Sequence, residues 1–538
     1  LSSPAAEVPA DDEPAAPAAE EGAPIAAAAE RTVVVETDLY RAELSNRGAV
    51  LRSFVLKEHL ARDGGQVDLV RERPPGEPLP FALVDAAGEP LPLGDALFAV
   101  EETAGRDATT LTFRHRGPAG AAEKRFVFRS GGRFEVELDV ERPESWALFV
   151  GPGLRNPSPA ELENRYERRF AAWSRTGEVS DTDAREEEVP VVLRGGGLEW
   201  VALSDQYFVA AVRPRAGVAE AVLAPQVMVP AADRSWSFHP AVAEPPEEEE
   251  DLPREMAVLL TPADGEMALS AYWGAKDVER LAALDWGLEE TVNFGIFGWL
   301  AIWLLRGLLW IHDNVVQNYG WAIVLMTLVI KVLLLPLSHH AMVSAQKMRE
   351  IQPQMQALRA KWRGKLRDKN GRMNFEAQRK MNEEMRELTQ KAGVNPAGGC
   401  LPMLLQMPVL FAFYYLLIAA VELRGADWML WIHDLSVRDP YYVMPLVMGA
   451  TQFLQMKMTP MSADPMQRRI MMMMPIVFTV FFLGFPAGLV LYWLTNNVLT
   501  IVQQTIYNRI EERRRNPPDA QPASAGGRRK SPKQVASK

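Results

Sequence analysis

Lys331 lies inside an otherwise apolar run, residues 319–337, four residues after Thr327. On a helix that spacing places both on one face. A cation in hydrocarbon is costly: it faces a cavity or a partner, or it extends its stem to the membrane interface. Six residues separate Lys331 from the end of its run at Leu337, which favours the first reading. Gln406 stands in a second apolar run with Leu410, Phe413 and Tyr414 on its face, and a third run carries Tyr492, Trp493, Thr495, Asn496 and Asn497. Polar groups inside a bilayer usually satisfy one another by interhelical hydrogen bonds, but a lysine among them favours enclosed water. Phe478, Phe481, Phe482 and Phe485 recur at helical spacing, as packing or lipid contact or as a greasy surface for an apolar guest helix. Met456, Met458, Met461, Met466 and Met471 to Met474 cluster nearby, filling a core or offering a surface that tolerates varied apolar guests. The chemistry within reach is thus attraction of acidic groups and accommodation of apolar ones, not bond making. No phosphate-binding loop, HExxH or GxSxG motif is present, so nothing marks an enzyme or a cofactor. His339 and His340 are adjacent and cannot share a helix face, which argues against a metal site.

These residues need membrane-spanning elements to hold them. Five runs have that character: 319–337, 400–421, 440–456, 470–486 and 487–506, the last two separated by Pro486. The 17-residue runs reach only about 26 Å at ~1.5 Å per residue, short of a ~30 Å hydrocarbon core, which implies local thinning of the bilayer. A further run, 294–312, is interrupted by Arg306 and carries Trp299, Trp303 and Trp310; it reads as a helix lying in the interface rather than as a span. Residues 339–395 hold 13 Lys and Arg against 6 Asp and Glu, and residues 508–538 hold 9 against 3. Both therefore face the cytoplasm, and five spans between them satisfy that parity. In the first of these segments Met348, Ile351, Met355 and Leu358, then Met381, Met385 and Leu388, recur at helical spacing on either side of a turn at 364–374, as in a self-packed helical hairpin.

The rest of the chain is of another kind. Residues 1–290 carry 29 Lys and Arg against 54 Asp and Glu, residues 291–538 carry 29 against 15, and this asymmetry suggests two compartments. Residues 1–30, rich in Ala, Pro and Glu, read as a disordered tether. Short β-type runs follow, among them 33–36, 49–56, 110–114, 126–128, 134–140 and 201–212, and predict a large β-sandwich. The acidic stretch 244–251 reads as a solvated loop. The single cysteine, Cys400, allows no intrachain disulfide. An exported acidic half needs a targeting segment, which is expected before Leu1.

Three stretches of the membrane half, NPAGGCLPMLLQMPVLFAFYYLL (395–417), WIHDLSVRDPYYVMP (431–445) and DPMQRRIMMMMPIVFTVFFLGFPAGLVLYWLTNN (464–497), closely resemble the YidC/Oxa/Alb insertase family. The outer half, with DLYRAELSNRGAVLRSF (38–54) and WVALSDQYFVAAVRP (200–214), resembles its Gram-negative YidC branch. The resemblance implies a periplasmic β-supersandwich followed by an α-helical membrane bundle of five spans with a cytoplasmic helical hairpin, in the inner membrane. On this reading the chain divides into a tether (1–30), a periplasmic domain (31–285), an interfacial helix (286–316), spans at 317–338, 398–423, 440–457, 470–486 and 487–508, a hairpin (339–397), a periplasmic loop (424–439), a cytoplasmic loop (458–469) and a basic tail (509–538). It also implies a non-enzymatic insertase and chaperone without cofactors. Its partners would be nascent membrane proteins, the ribosome, the Sec translocon with its accessory membrane proteins, and the lipid bilayer. Its groove, open to the cytoplasm and to lipid, would be lined by Thr327, Lys331, Gln406, Tyr414, Tyr492, Trp493 and Thr495, with Leu410, Phe478, Phe481, Phe482 and Phe485 against the guest helix. The family's groove cation is usually arginine; Lys331 keeps the charge but not the planar fork. Gly484 stands where relatives often carry a bulky aromatic, and Tyr492-Trp493 where many have Tyr-Tyr. The rival reading is a solute transporter or channel whose outer domain binds carbohydrate. It predicts an internal repeat, and none is visible.

Overall fold

The computed structural model of the chain describes residues 23–61, 64–74, 76–141, 145–156, 168–187, 189–230, 236–240, 252–366, 373–393, 401–458 and 465–515. Most of the tether, the acidic stretch 244–251, residues 367–372 of the hairpin turn, Cys400, Met461, the side chain of Met466 and the tail from 516 onward lie outside the described residues. The chain divides into two compact units that meet in sequence at Asn293 and Phe294.

Alternation of apolar and polar residues builds the first unit. In the strand Arg133–Glu141, Phe134, Val136, Leu138 and Val140 are buried while Arg133, Asp139 and Glu141 are exposed, the two-residue period of a strand with one wet face. Among the described residues, nineteen strands form sheets of four, six and nine strands. The nine-stranded sheet runs from Glu178–Asp183 at one edge, through Phe208–Ala216 and Glu266–Ala275, to Ala99–Ala104 at the other. Its core is aromatic: Phe54 of the four-stranded sheet meets Trp273 and Phe134 of the nine-stranded one, with ring centroids 5.8 and 5.9 Å apart. Lys124 brings a charge into this interior. Its Nζ donates to the carbonyls of Gly48 (2.7 Å), Phe81 (2.7 Å) and Ala49 (3.3 Å), which uses all three donors of an ammonium, and burial pulls its pKa down to about 7.

The run 201–212, read above as one β segment, is two strands. Leu198–Ser204 and Phe208–Ala216 pair antiparallel, Val201 opposite Val212. The reversal is made by Asp205, whose carboxylate accepts the amides of Tyr207 and Phe208, each at 2.7 Å. An Asp side chain that caps its own backbone in this way turns the chain without help from Gly or Pro.

The second unit is helical: α1 (Gly298–Asn314), α2 (Tyr319–Leu333), α3 (Leu335–Arg363), α4 (Phe375–Lys391), α5 (Leu401–Ala419), α6 (Val443–Met458), α7 (Pro465–Phe482) and α8 (Ala487–Arg515). Among the described residues no single helix is long and apolar enough to cross a membrane by itself; α2 together with residues Leu335–Met348 is, but the pair is bent by 60°. The run 319–337 is therefore not one straight helix. Pro336 sits in the first turn of α3; it lacks the amide that would continue α2 and its ring opposes the preceding helical backbone, so the chain breaks at Leu334. Lys331 consequently lies in the last turn of α2, nearer a helix end than the hydropathy run indicates. Its charge is favoured there by the helix's negative pole.

The remaining helices pack through identifiable contacts. α1 buries Ala301, Leu304, Leu305, Leu308 and Ile311 and leaves Trp299, Trp303 and Trp310 exposed by 67, 65 and 62 %, with the Arg306 guanidinium over the Trp303 ring at 5.6 Å. α3 and α4 meet where Glu384 accepts from Lys361 Nζ (2.8 Å) and Trp362 Nε1 (3.1 Å). Asp439 is buried and ties the preceding loop to α6, accepting from Trp431 Nε1 at 3.0 Å and from the amides of Tyr441 at 3.0 Å and Met444 at 2.7 Å. α6 and α7 approach at Gly449, where a Cβ would overlap Thr479 Oγ1 and lie 3.1 Å from Thr479 Cβ.

Candidate functional site: a polar seam in the helical unit

α8 carries one polar stripe in its interior. Tyr492, Asn496, Thr500, Gln503 and Tyr507 follow one another at four, four, three and four residues, the spacing of one helix face. Each reaches another helix. Tyr492 OH accepts from Gln406 Nε2 of α5 at 2.5 Å. Asn496 Oδ1 and Thr500 Oγ1 accept from Lys331 Nζ of α2 at 3.1 and 2.7 Å. Gln503 Nε2 donates to Ser338 Oγ of α3 at 3.0 Å, and Tyr507 OH to Gln346 Oε1 of α3 at 2.7 Å. Asn497, on the neighbouring face, donates to Met448 O and Thr451 Oγ1 of α6, both at 3.4 Å. Bonds of this kind between transmembrane helices stabilise by roughly 0.6–2 kcal/mol each. The stripe therefore fixes the register of α8 against its neighbours and sets a cation among neutral acceptors.

The expected groove residues fall into four groups. Lys331, Gln406 and Tyr492 join the seam directly. Tyr492 is buried and its ring also stacks on Phe413 at 4.4 Å. Thr327 is buried but its hydroxyl donates to Ile323 O of its own helix at 2.7 Å; it shares a helix face with Lys331 and bonds elsewhere. Tyr414 and Trp493 belong to an aromatic cluster: Tyr414 lies 5.7 Å from Phe485, while Trp493 lies 5.3 Å from Phe482 and 6.1 Å from Phe478. Trp493 Nε1 is buried without a hydrogen-bond partner among the described residues. Thr495 and Leu410 are half-buried.

The four phenylalanines pack as one ring cluster, Phe481 and Phe482 lying 4.8 and 5.2 Å from Phe485 and Phe482 6.3 Å from Phe478, but their exposure is uneven. α7 ends at Phe482, so Phe485 lies beyond the helix whose spacing it continues. Phe482 and Phe485 are buried, Phe478 is half-buried, and Phe481 is 57 % exposed. With Phe481, the residues Ile470, Met473, Ile476, Val477 and Val480 leave an outward apolar flank on α7. At Gly484 a Cβ would meet nothing within 4 Å.

Thr500, Gln503, Ser338, Gln346 and Tyr507 were not among the expected residues. For Thr500, Gln503 and Tyr507 the signal was the periodicity of α8, with Tyr507 one residue past the apolar run ending at 506, whereas Ser338 and Gln346 lie on α3 and carry no such signal.

The family profile described as "60Kd inner membrane protein" matches residues 310–514, and the "YidC periplasmic domain" profile matches residues 32–306. A membrane protein insertase YidC of Geobacter metallireducens is 35% identical over 507 residues, which cover 90% of this chain and 88% of that protein. One from Nitratidesulfovibrio vulgaris (strain DP4) is 35% identical over 489 residues, covering 88% and 85%. A solved structure described as an active YidC insertase with its first transmembrane domain resolved aligns over 90% of this chain and 94% of that one, at 18% identity and a TM-score of 0.37. With relatives at this identity over nearly the whole length, the chain belongs to the YidC family of membrane protein insertases.

Proposed function

We propose that the chain inserts hydrophobic segments of nascent proteins into the bilayer by drawing a guest's polar tail toward Lys331 and releasing its apolar helix to lipid past α7. The family establishes a non-enzymatic insertase of the inner membrane with an N-terminal periplasmic domain. The mechanism rests chiefly on one observation: the Lys331 ammonium is bonded to the neutral oxygens of Asn496 and Thr500, so its charge is located but not cancelled. Such a charge attracts a guest carboxylate most strongly where water is sparse. The outward apolar flank of α7 supports the exit route, and no nucleotide is required because burial of a ~20-residue apolar helix releases ample free energy.

In this reading α2, α5, α6, α7 and α8 span the membrane. The short helices are accommodated by local thinning, which lowers the barrier to a passing polar tail. α3 and α4 form a cytoplasmic hairpin. α1 lies in the periplasmic interface, its tryptophans among the headgroups. The groove opens to the cytoplasm and to lipid, hydrates the guest's tail, and comprises Thr327, Lys331, Gln406, Tyr414, Tyr492, Trp493 and Thr495. Leu410, Phe478, Phe481, Phe482 and Phe485 contact the guest helix. Guests arrive from the ribosome or from the Sec translocon.

The test is reconstitution of the full chain in liposomes with a small single-span guest made in two forms, one with an acidic N-terminal tail and one with a neutral tail. Lys331→Arg is expected to retain insertion and Lys331→Ala to impair the acidic form more than the neutral one. Equal impairment of both forms would remove charge attraction from the mechanism.

A further inference from the structure

We infer that Asn496 and Thr500 are positioning residues for Lys331, holding its ammonium inside the bundle where a guest carboxylate can reach it. The inference rests on the reading of Lys331 given above. Lys331 is in the last turn of α2, close enough to a helix end for a four-carbon stem to carry its charge out to the interface. It does not go there: Nζ lies 3.1 Å from Asn496 Oδ1 and 2.7 Å from Thr500 Oγ1.

The acceptors are suited to holding a charge without consuming it. Two buried arginines of the β-rich unit are paired with carboxylates, Arg71 with Glu255 at 2.9 Å and Arg155 with Asp205 at 2.6 Å, and such pairs cancel, whereas buried Lys124 is held by neutral carbonyls. Among the described residues Lys331 bonds only to neutral oxygens. The polarity of the arrangement is also set: the Thr500 hydroxyl donates to Asn496 O at 2.6 Å, so its lone pairs face the ammonium. An ammonium has three donors, and the two acceptors on α8 take two of them. The third has no partner among the described residues, which leaves one charge-assisted bond for an incoming carboxylate. An arginine would present a planar fork of five donors, whereas a lysine is a rotatable point charge and depends on its surroundings for direction. The two residues on α8 supply that direction.

The experiment compares the parent chain, Lys331→Ala, Asn496→Ala/Thr500→Val and Thr500→Ser in liposomes. Two quantities are read. One is the ratio of insertion of the acidic-tailed to the neutral-tailed guest, taken within each variant so that the amount of folded protein cancels. The other is the rate at which a membrane-impermeant amine reagent modifies Lys331, followed by the mass of its peptide. In Asn496→Ala/Thr500→Val the ratio is expected to fall about tenfold, the factor that loss of one hydrogen bond to a charged group gives. Lys331 modification should quicken severalfold as the ammonium moves to the interface, and Thr500→Ser, which keeps the hydroxyl, should retain the parent ratio. If the ratio and the modification rate both stay at the parent's values while Lys331→Ala loses the preference, the positioning role is overturned and the proposed function stands. A fallen ratio with unchanged modification also overturns it, because the two residues would then touch the guest themselves. If Lys331→Ala keeps the acidic preference, the positioning role and the reading beneath it fail together.

Discussion

Replacing Gly449 by alanine should loosen the contact between α6 and α7. A Cβ at 449 would overlap Thr479 Oγ1 and lie 3.1 Å from Thr479 Cβ and 3.2 Å from its Cγ2. Carbon atoms pack best at about 3.5–4.0 Å, so with Oγ1 overlapped the helices must separate by about an ångström or Thr479 must turn. Turning is not free, because Thr479 Oγ1 donates to Pro475 O at 2.7 Å. Overpacking of this kind costs about 1–3 kcal/mol. Thr479→Ala alone removes the hydroxyl and one methyl group at a cost of about 1 kcal/mol, yet in the double variant it also removes the overlap. Gly449→Ala/Thr479→Ala should therefore be more stable than Gly449→Ala, with a coupling of about 1 kcal/mol or more between the two sites. The assay is thermal denaturation in detergent followed by the monodisperse size-exclusion peak, where each kcal/mol moves the midpoint by about 2–4 °C in a unit of this size. Insertion is measured alongside, since α7 is the helix past which the guest is proposed to leave. Parent-like stability of Gly449→Ala, or failure of Thr479→Ala to relieve it, would refute the close-packing argument.

Two further outcomes are expected. A chain lacking residues 31–260 should still complement a strain depleted of its own insertase, whereas loss of the α1 helix should not; complete loss of insertion at normal expression in the first variant would contradict this. Removal of residues 509–538, which carry 9 Lys and Arg against 3 Asp and Glu, should weaken co-sedimentation with ribosomes at low salt and matter less as salt is raised; binding that is unchanged at low salt would take the tail out of the ribosome contact.

Local periodicity made much of the architecture legible. The alternation at 134–140 survives as a strand with Phe134, Val136, Leu138 and Val140 inward, because a half-buried strand writes its two faces directly into the residue order. Where one run hides two elements the reading fails for a physical reason. At 201–212 both strands are buried and the turn between them is short, so the polar Ser204-Asp205-Gln206 that marks it is outweighed by the apolar residues on either side. At 319–337 the residues remain apolar through Pro336, so hydropathy passes over a break that backbone chemistry makes at Leu334. The same blindness placed Lys331 six residues from an end when it is in the final turn. The phenylalanines at 478, 481, 482 and 485 keep helical spacing past the point where the helix stops, and Phe485 still packs on Phe481 and Phe482 at 4.8 and 5.2 Å. The partners of Lys331 depend on how α2 and α8 pair, which no single run encodes, although the stripe of Tyr492, Asn496, Thr500, Gln503 and Tyr507 was open to view.

The two segments that leave the bundle on the basic side differ mechanically. α2 and α3 are separated by the 60° bend at Leu334, so α3 reaches the partners of Lys331 through its bonds to α8, Ser338 with Gln503 and Gln346 with Tyr507. α8 is 29 residues long, about 43 Å, and contains no proline; its one glycine, Gly488, lies at its start. It is a rod. A tug or twist applied at Arg515 is transmitted without a joint to Thr500 and Asn496, about four and five turns away. Whatever grips the end of α8 therefore has a direct lever on the lysine, and whatever grips α3 has one only by way of its two bonds to α8.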